Sequence, residues 1–247
     1  SSSSSSSSSL PFPDSVQFDL LSPHMDMGYP GELLVSVTFA LSDDLSLQIS
    51  YRAVSDRDTV VNLTHHGYFN LSGHSSPLPA VADHSLSIAA DHITPVNDSL
   101  IPTGQLLHVA GTPFDFRNPT LIAERIDADH PQIVFGKGYD HNYVLSGLPP
   151  HDGTGPVHAA TLTSLTTGIA MACLTTEPGL QLYTANFIDH LPGKGGHVYT
   201  KRSGICLESQ HFPDSPNHPE FPSTLLPAGR EFRSVTRYVF SIPSSND

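Results

Sequence analysis

Between Leu33 and Ile242 the chain is cut into short runs in which every second residue is apolar. Leu47, Ile49, Tyr51 and Ala53 are separated by Gln48, Ser50 and Arg52, the pattern of a strand with one buried face. The run before it, Leu34 to Leu41, is rich in Val and Phe, and Ser42-Asp43-Asp44 joins the two as a predicted hairpin turn. Leu86, Ile88 and Ala90 repeat the alternation, as do Tyr238, Phe240 and Ile242. Between the runs lie turn formers such as Ser72-Gly73, Asn97-Asp98, Thr166-Thr167-Gly168 and Pro227-Ala228-Gly229. With 22 Pro and 18 Gly in 247 residues, long helices are disfavoured. No segment holds a 3.6-residue period, and Leu121 to Ile126 supports at most one short helical turn. The pattern predicts an all-β fold, a sandwich or barrel of antiparallel strands. Without repeats or linkers, it predicts one domain over 14–247 behind a serine-rich leader, 1–13, whose Ser1 to Ser9 homopolymer cannot pack.

Charge narrows the function classes. The net charge is −13, and the 11 basic residues are scattered, so a phosphate backbone or an anionic membrane surface would be repelled. No apolar stretch approaches the ~18 residues of a membrane span, and no basic, apolar signal peptide opens the chain. The two cysteines, Cys173 and Cys206, sit in apolar runs and are expected to be buried, reduced thiols. The expectation is a cytoplasmic protein without nucleic-acid or membrane partners.

Four segments are dense in polar, aromatic and glycine residues: Val61 to Leu71, Gly138 to Leu145, Glu177 to Phe187 and Ser203 to Asp214. Together they suggest a sugar site. A sugar offers hydroxyls that Asp, Asn, Gln and Glu can bind, and C–H faces that suit aromatic rings. A histidine and the carboxylate Glu208 supply an acid and a base, with unperturbed pKa values of ~6.5 and ~4.3. Bland readings compete. The chain has 15 histidines, so His66 taken alone is more often structural than functional. Asp140 could cap a turn, Gln181 could be a satisfied polar group in a sheet, and Pro178-Gly179 is first of all a turn. A metal site from His65, His66, His141 and His211 is conceivable, but no ligand spacing matches a zinc signature.

These segments resemble the aldose 1-epimerase family. Asn62-Leu63-Thr64-His65-His66-Gly67-Tyr68-Phe69-Asn70-Leu71 is similar to its Asn-Leu-Thr-Asn-His-Ser-Tyr-Phe-Asn-Leu motif. Asp140-His141-Asn142-Tyr143, Pro178 to Phe187 and Gly204 to Gln210 resemble further motifs, in order, and the likeness runs from about Asp14 to Ile242. The resemblance implies a large antiparallel β-sandwich. It implies His66 as general acid, Glu208 as general base, and Asp140 and Gln181 as contacts to the hydroxyls of an aldose such as galactose or glucose. The implied reaction interconverts α and β anomers by ring opening and closure and needs neither cofactor nor metal. The family also carries an earlier Asn-Arg pair and a His-Gly-Gly turn that line the sugar site. This chain contains neither, so the resemblance implies a sandwich and a site that are incomplete at the N-terminal side, and a weakened epimerase. A non-catalytic sugar binder, a glycosidase built on Asp140 and Glu208 and a structural β-sandwich module are the competing readings.

Overall fold

A computed structural model describes residues 14–77, 79–147 and 155–242. The leader expected over 1–13 lies outside the described residues. In chain order the strands are β1 (Ser15–Ser22), β2 (Leu33–Ser42), β3 (Ser46–Ser55), β4 (Thr59–Val60), β5 (His84–Ile88), β6 (Ala90–Thr94), β7 (Leu107–His108), β8 (Thr120–Leu121) and β9 (Asp140–Leu145). They continue as β10 (Val157–Ser164), β11 (Ala170–Thr175), β12 (Gly179–Tyr183), β13 (Leu191–Pro192), β14 (Val198–Tyr199), β15 (Cys206–Gln210), β16 (Leu225–Leu226) and β17 (Glu231–Ser241).

Eight strands form one antiparallel sheet in the order β1-β2-β3-β17-β11-β10-β5-β8, and five form a second in the order β15-β12-β9-β6-β7. The predicted hairpin is β2 and β3, registered from Leu33 opposite Ser55 to Ser42 opposite Ser46. Leu45 closes its turn at φ 58°, the left-handed position of a three-residue hairpin loop. The sheets face each other across one core. Ile49, Leu86, Leu162, Met171 and Tyr238 of the larger sheet meet Ile93, Tyr143, Leu180, Leu182 and Leu207 of the smaller. Polar contacts stitch the same interface: Tyr238 Oη donates to Leu207 O at 2.8 Å, and Ser209 Oγ bonds Thr236 Oγ1. Buried hydroxyls need such partners.

Two details depart from the sequence pattern. Leu86, Ile88 and Ala90 are all buried but belong to two sheets. Ala89 donates to Ala159 O, beside the large sheet, and accepts from Ser146 N, beside the small one. The chain changes sheets at a pair of alanines small enough for the corner. A helix α2 (Pro131–Gly136) has no sequence periodicity to announce it. Pro131 opens it, the His130 ring accepts from Gln132 N, and Lys137 closes it in the left-handed region. The turn expected in Leu121 to Ile126 is a 3₁₀ turn at Ile122–Glu124. Cys173 and Cys206 are free and buried, as expected. β1, at the edge of the large sheet, leaves Val16, Phe18 and Leu20 exposed on one face. Among the described residues, no helix is long and apolar enough to cross a membrane.

Candidate active site

The outer face of the five-stranded sheet carries the site because side chains alternate across a strand. On β12, Leu180 and Leu182 enter the core, which turns Gln181 and Tyr183 outward. On β15, Leu207 and Ser209 face the large sheet, which turns Cys206, Glu208 and Gln210 outward. On β9, Tyr143 and Leu145 pack inward, which leaves Asp140 and Asn142 on the outer face. Three strands adjacent in space therefore bring Asp140, Gln181 and Glu208 onto one floor. Gln181 lies directly opposite Glu208, and its Nε2 donates to Asp140 Oδ1 at 2.8 Å.

His66 arrives from the loop between β4 and the short helix α1 (Ala80–Asp83). That loop is fastened along the free edge of β15 at both ends. At one end Asn62 holds the His211 backbone twice, accepting from its N–H at 3.0 Å and donating to its carbonyl at 2.9 Å. At the other, Phe69 and Ile205 exchange backbone hydrogen bonds of 2.8 and 2.9 Å. The loop thus runs antiparallel to β15, and counting from the Phe69–Ile205 bridge sets His66 opposite Glu208. Their Nδ1 and Oε1 atoms are 3.5 Å apart. The two adjacent histidines diverge. The His65 ring packs into the core against Phe39, Phe69 and Tyr238, while His66 stacks on Tyr68 at 5.0 Å and meets the Tyr183 edge at 5.9 Å. Residue 67 must be small for this, since a Cβ there would lie 2.3 Å from His65 Cε1.

The four residues singled out from the sequence line one cleft of about 340 Å³, together with Tyr68, Tyr183, Gln210 and Pro213. The cleft opens into a hollow of about 100 Å³ bordered by Asn142. Asn142 Oδ1 and Gln181 Oε1 are buried there without hydrogen-bond partners among the described residues. Tyr68, Tyr183 and Gln210 were within reach of the sequence, because each sits two residues beyond a chosen site residue and so shares its face. The four histidines weighed as metal ligands do not gather: His65 and His141 turn inward, and His211 bonds Glu177 Oε2 at 2.6 Å.

The floor changes the acidity of what it holds. Burial, and then the Asp140 charge, push Glu208 up to about 7 from an ordinary 4.5. Burial also raises Asp140, opposed by the Gln181 hydrogen bond and by His66. The Cys206 thiol is raised far above its usual value by burial, then by Glu208 and Asp140. A carboxyl near neutrality, facing a histidine in a cleft without lysine or arginine, is equipped to exchange protons with a neutral polyol.

The fold is an antiparallel sandwich that sets a histidine and a carboxyl over a floor of amide and carboxyl groups. Residues 3–239 match the aldose 1-epimerase family model, and the chain belongs to that family. It is 44% identical over 228 residues to human galactose mutarotase, covering 92% of this chain and 63% of that protein. It is 41% identical over 227 residues to the Escherichia coli aldose 1-epimerase, covering 91% and 63%. A crystal structure of a Caenorhabditis elegans aldose epimerase homologue superposes with a TM-score of 0.82 at 30% identity, over 93% of this chain and 66% of the other. The chain thus spans about 63% of the length of the curated relatives it matches.

Proposed function

We propose that the cleft interconverts the α and β anomers of an aldohexose such as galactose or glucose. The observation that carries this reading is the 3.5 Å approach of His66 Nδ1 to Glu208 Oε1. In a cyclic aldose the anomeric hydroxyl and the ring oxygen are bonded to the same carbon, so the groups serving them must themselves be neighbours, each within ~3 Å of its oxygen. Glu208, as carboxylate, takes the O1 proton while His66, as imidazolium, gives one to the ring oxygen. The C1–O5 bond breaks and leaves an open-chain aldehyde. Rotation about C1–C2 presents the other carbonyl face, O5 attacks C1, and the two protons return. Asp140 and Gln181 hold remaining hydroxyls, and Tyr68 and Tyr183 border the ring.

Glu208 suits the task because its basicity lies near the operating pH, where general-base efficiency is greatest. A glycosidase would need two carboxyls on either side of a bond; here Gln181 bridges toward Asp140, and the partner of Glu208 is a histidine. The two buried free thiols support a reducing, cytoplasmic location. The test is anomer exchange: polarimetry of freshly dissolved α-galactose and α-glucose, with NMR exchange between anomers as a second readout. Catalysed exchange that Glu208→Gln abolishes supports the reading. Sugar binding without exchange, or release of reducing sugar from a disaccharide, overturns it.

A further inference from the structure

We propose that His66, Cys206 and Glu208 form a binding site for a thiophilic divalent cation, Zn²⁺, which reversibly closes the cleft to sugar. The donor atoms of these three residues all lie within 4.8 Å of one another. Cys206 and Glu208 are alternate residues of β15 on its outer face, and the clamped loop sets His66 opposite them. A tetrahedral zinc centre with ligands at ~2.0–2.3 Å spaces them roughly 3.3–3.8 Å apart. The His66–Glu208 separation of 3.5 Å already falls in that range, and the Cys206 sulfur lies within 4.8 Å of both donor atoms.

The donor set, one imidazole, one thiolate and one carboxylate, is of the three-ligand kind that leaves a fourth position open. That position faces the cleft, where His66 is 53% exposed while Glu208 is 9% exposed. The lining adds Asp140, a second carboxylate, and neither lysine nor arginine, so the field favours a cation. Sulfur and imidazole select zinc over magnesium or calcium. On binding, the Zn–S bond replaces the S–H bond and the proton leaves to solvent. With Nδ1 and the carboxylate coordinated, neither can carry a proton for ring opening.

The inhibition rests on the function proposed above; the binding does not, and the experiment separates them. The chain, freed of metal by a chelator, is titrated with Co²⁺ and Zn²⁺. Cobalt should give a near-ultraviolet thiolate-to-metal charge-transfer band. Cys206→Ser should abolish that band and weaken zinc roughly 100-fold or more, above the ~10–100-fold cost of an outer-shell change. Cys173→Ser, at a thiol packed in the core cluster, should change neither. High galactose should compete with the metal. Absence of the band, or Cys206→Ser binding zinc like the parent, overturns the proposal and places the ion on surface histidine pairs such as His74–His197 or His92–His108, whose rings lie 4.5 and 5.0 Å apart. Binding through Cys206 by a chain that does not mutarotate keeps the site and removes the proposed function. Mutarotation indifferent to saturating zinc refutes the closure.

Discussion

The placement of His66 depends on a residue with no side chain, and Gly67→Ala tests that dependence. The new Cβ would stand 2.3 Å from His65 Cε1, well inside van der Waals contact. Phe39, Phe69 and Tyr238 flank the ring and limit how far it can swing aside. The strain therefore falls on the backbone between the Asn62 and Phe69 clamps, where His66 sits. Overpacking of this kind costs about 1–3 kcal/mol. A shift of ~1 Å at the acid is enough for ~10²-fold in rate. Anomer exchange should fall about that much in kcat, with a lowered Tm. Adding His65→Ala removes the obstructing ring, so Gly67→Ala/His65→Ala should regain most of the rate while remaining less stable from the cavity it leaves. This opposite movement of rate and stability separates repositioning of His66 from general loosening. A Gly67→Ala enzyme with parental rate, or a double variant no faster than the single one, would refute the reasoning.

Glu208→Gln keeps the shape of the floor and removes the base; exchange should drop by ~10²–10⁴-fold with an unchanged far-ultraviolet spectrum, and retained activity would show that another group takes the O1 proton. In metal-free protein, Glu208 is protonated below about 7, so kcat/KM should climb as the pH rises toward that value and fall again once the imidazolium that the mechanism requires is lost. Asp140→Asn deletes a charge that raises it and should move the ascending limb to lower pH; a profile flat across neutrality sinks the assignment. At buried Asp83, the hydroxyls of Ser72, Thr166 and Ser164 outweigh burial and hold the carboxyl below its usual value. It therefore stabilises the fold above the unfolded pKa of ~3.9, a contribution lost as the pH falls through the folded value. Asp83→Ala should cost roughly 1–3 kcal/mol at neutral pH and less in acid, read by urea unfolding; an equal loss at both pH values would contradict this account.

What was legible in the sequence follows the range of the interaction. The β2–β3 hairpin, the inward face of β3 and that of β17 at Tyr238 and Phe240 rest on a two-residue period, and the structure keeps them, whereas Ile242, expected on the same face, lies past the end of β17 and is exposed. The same period, applied outward from His66, Gln181 and Glu208, leads to Tyr68, Tyr183 and Gln210. The corner at Ala89 was hidden because apolar alternation continues unbroken through a change of sheet. Helix α2 was hidden because six residues hold less than two turns. The Asn62 clamp was hidden for another reason: its partner His211 is 149 residues away, and nothing local in Asn62-Leu63-Thr64 distinguishes an amide that seats the His66 loop from one that faces solvent. The His65–Gly67 pairing is local, but its meaning depends on a core that only the folded chain supplies.

Two carboxyls on one sheet face acquire different chemistry here through the strand that separates them. Asp140 and Glu208 belong to β9 and β15, and Gln181 on β12 lies between. The amide donates to Asp140 Oδ1 and so favours its charged form, which works against the effect of burial. Among the described residues, the group within ion-pair distance of Glu208 is His66, and Glu208 carries the penalty of burial together with the charge of Asp140. Hydrogen bonding to a carboxylate lowers its basicity, whereas burial and a like charge raise it. On the function proposed above, the donor makes Asp140 the better acceptor for sugar hydroxyls, and its absence makes Glu208 the better base. The same arrangement divides roles between two carboxylates in other hydrolytic and isomerising sites. In this fold the division needs no special loop: it follows from the pleat, which alternates core and cleft residues, and from the register that sets Gln181 opposite Glu208.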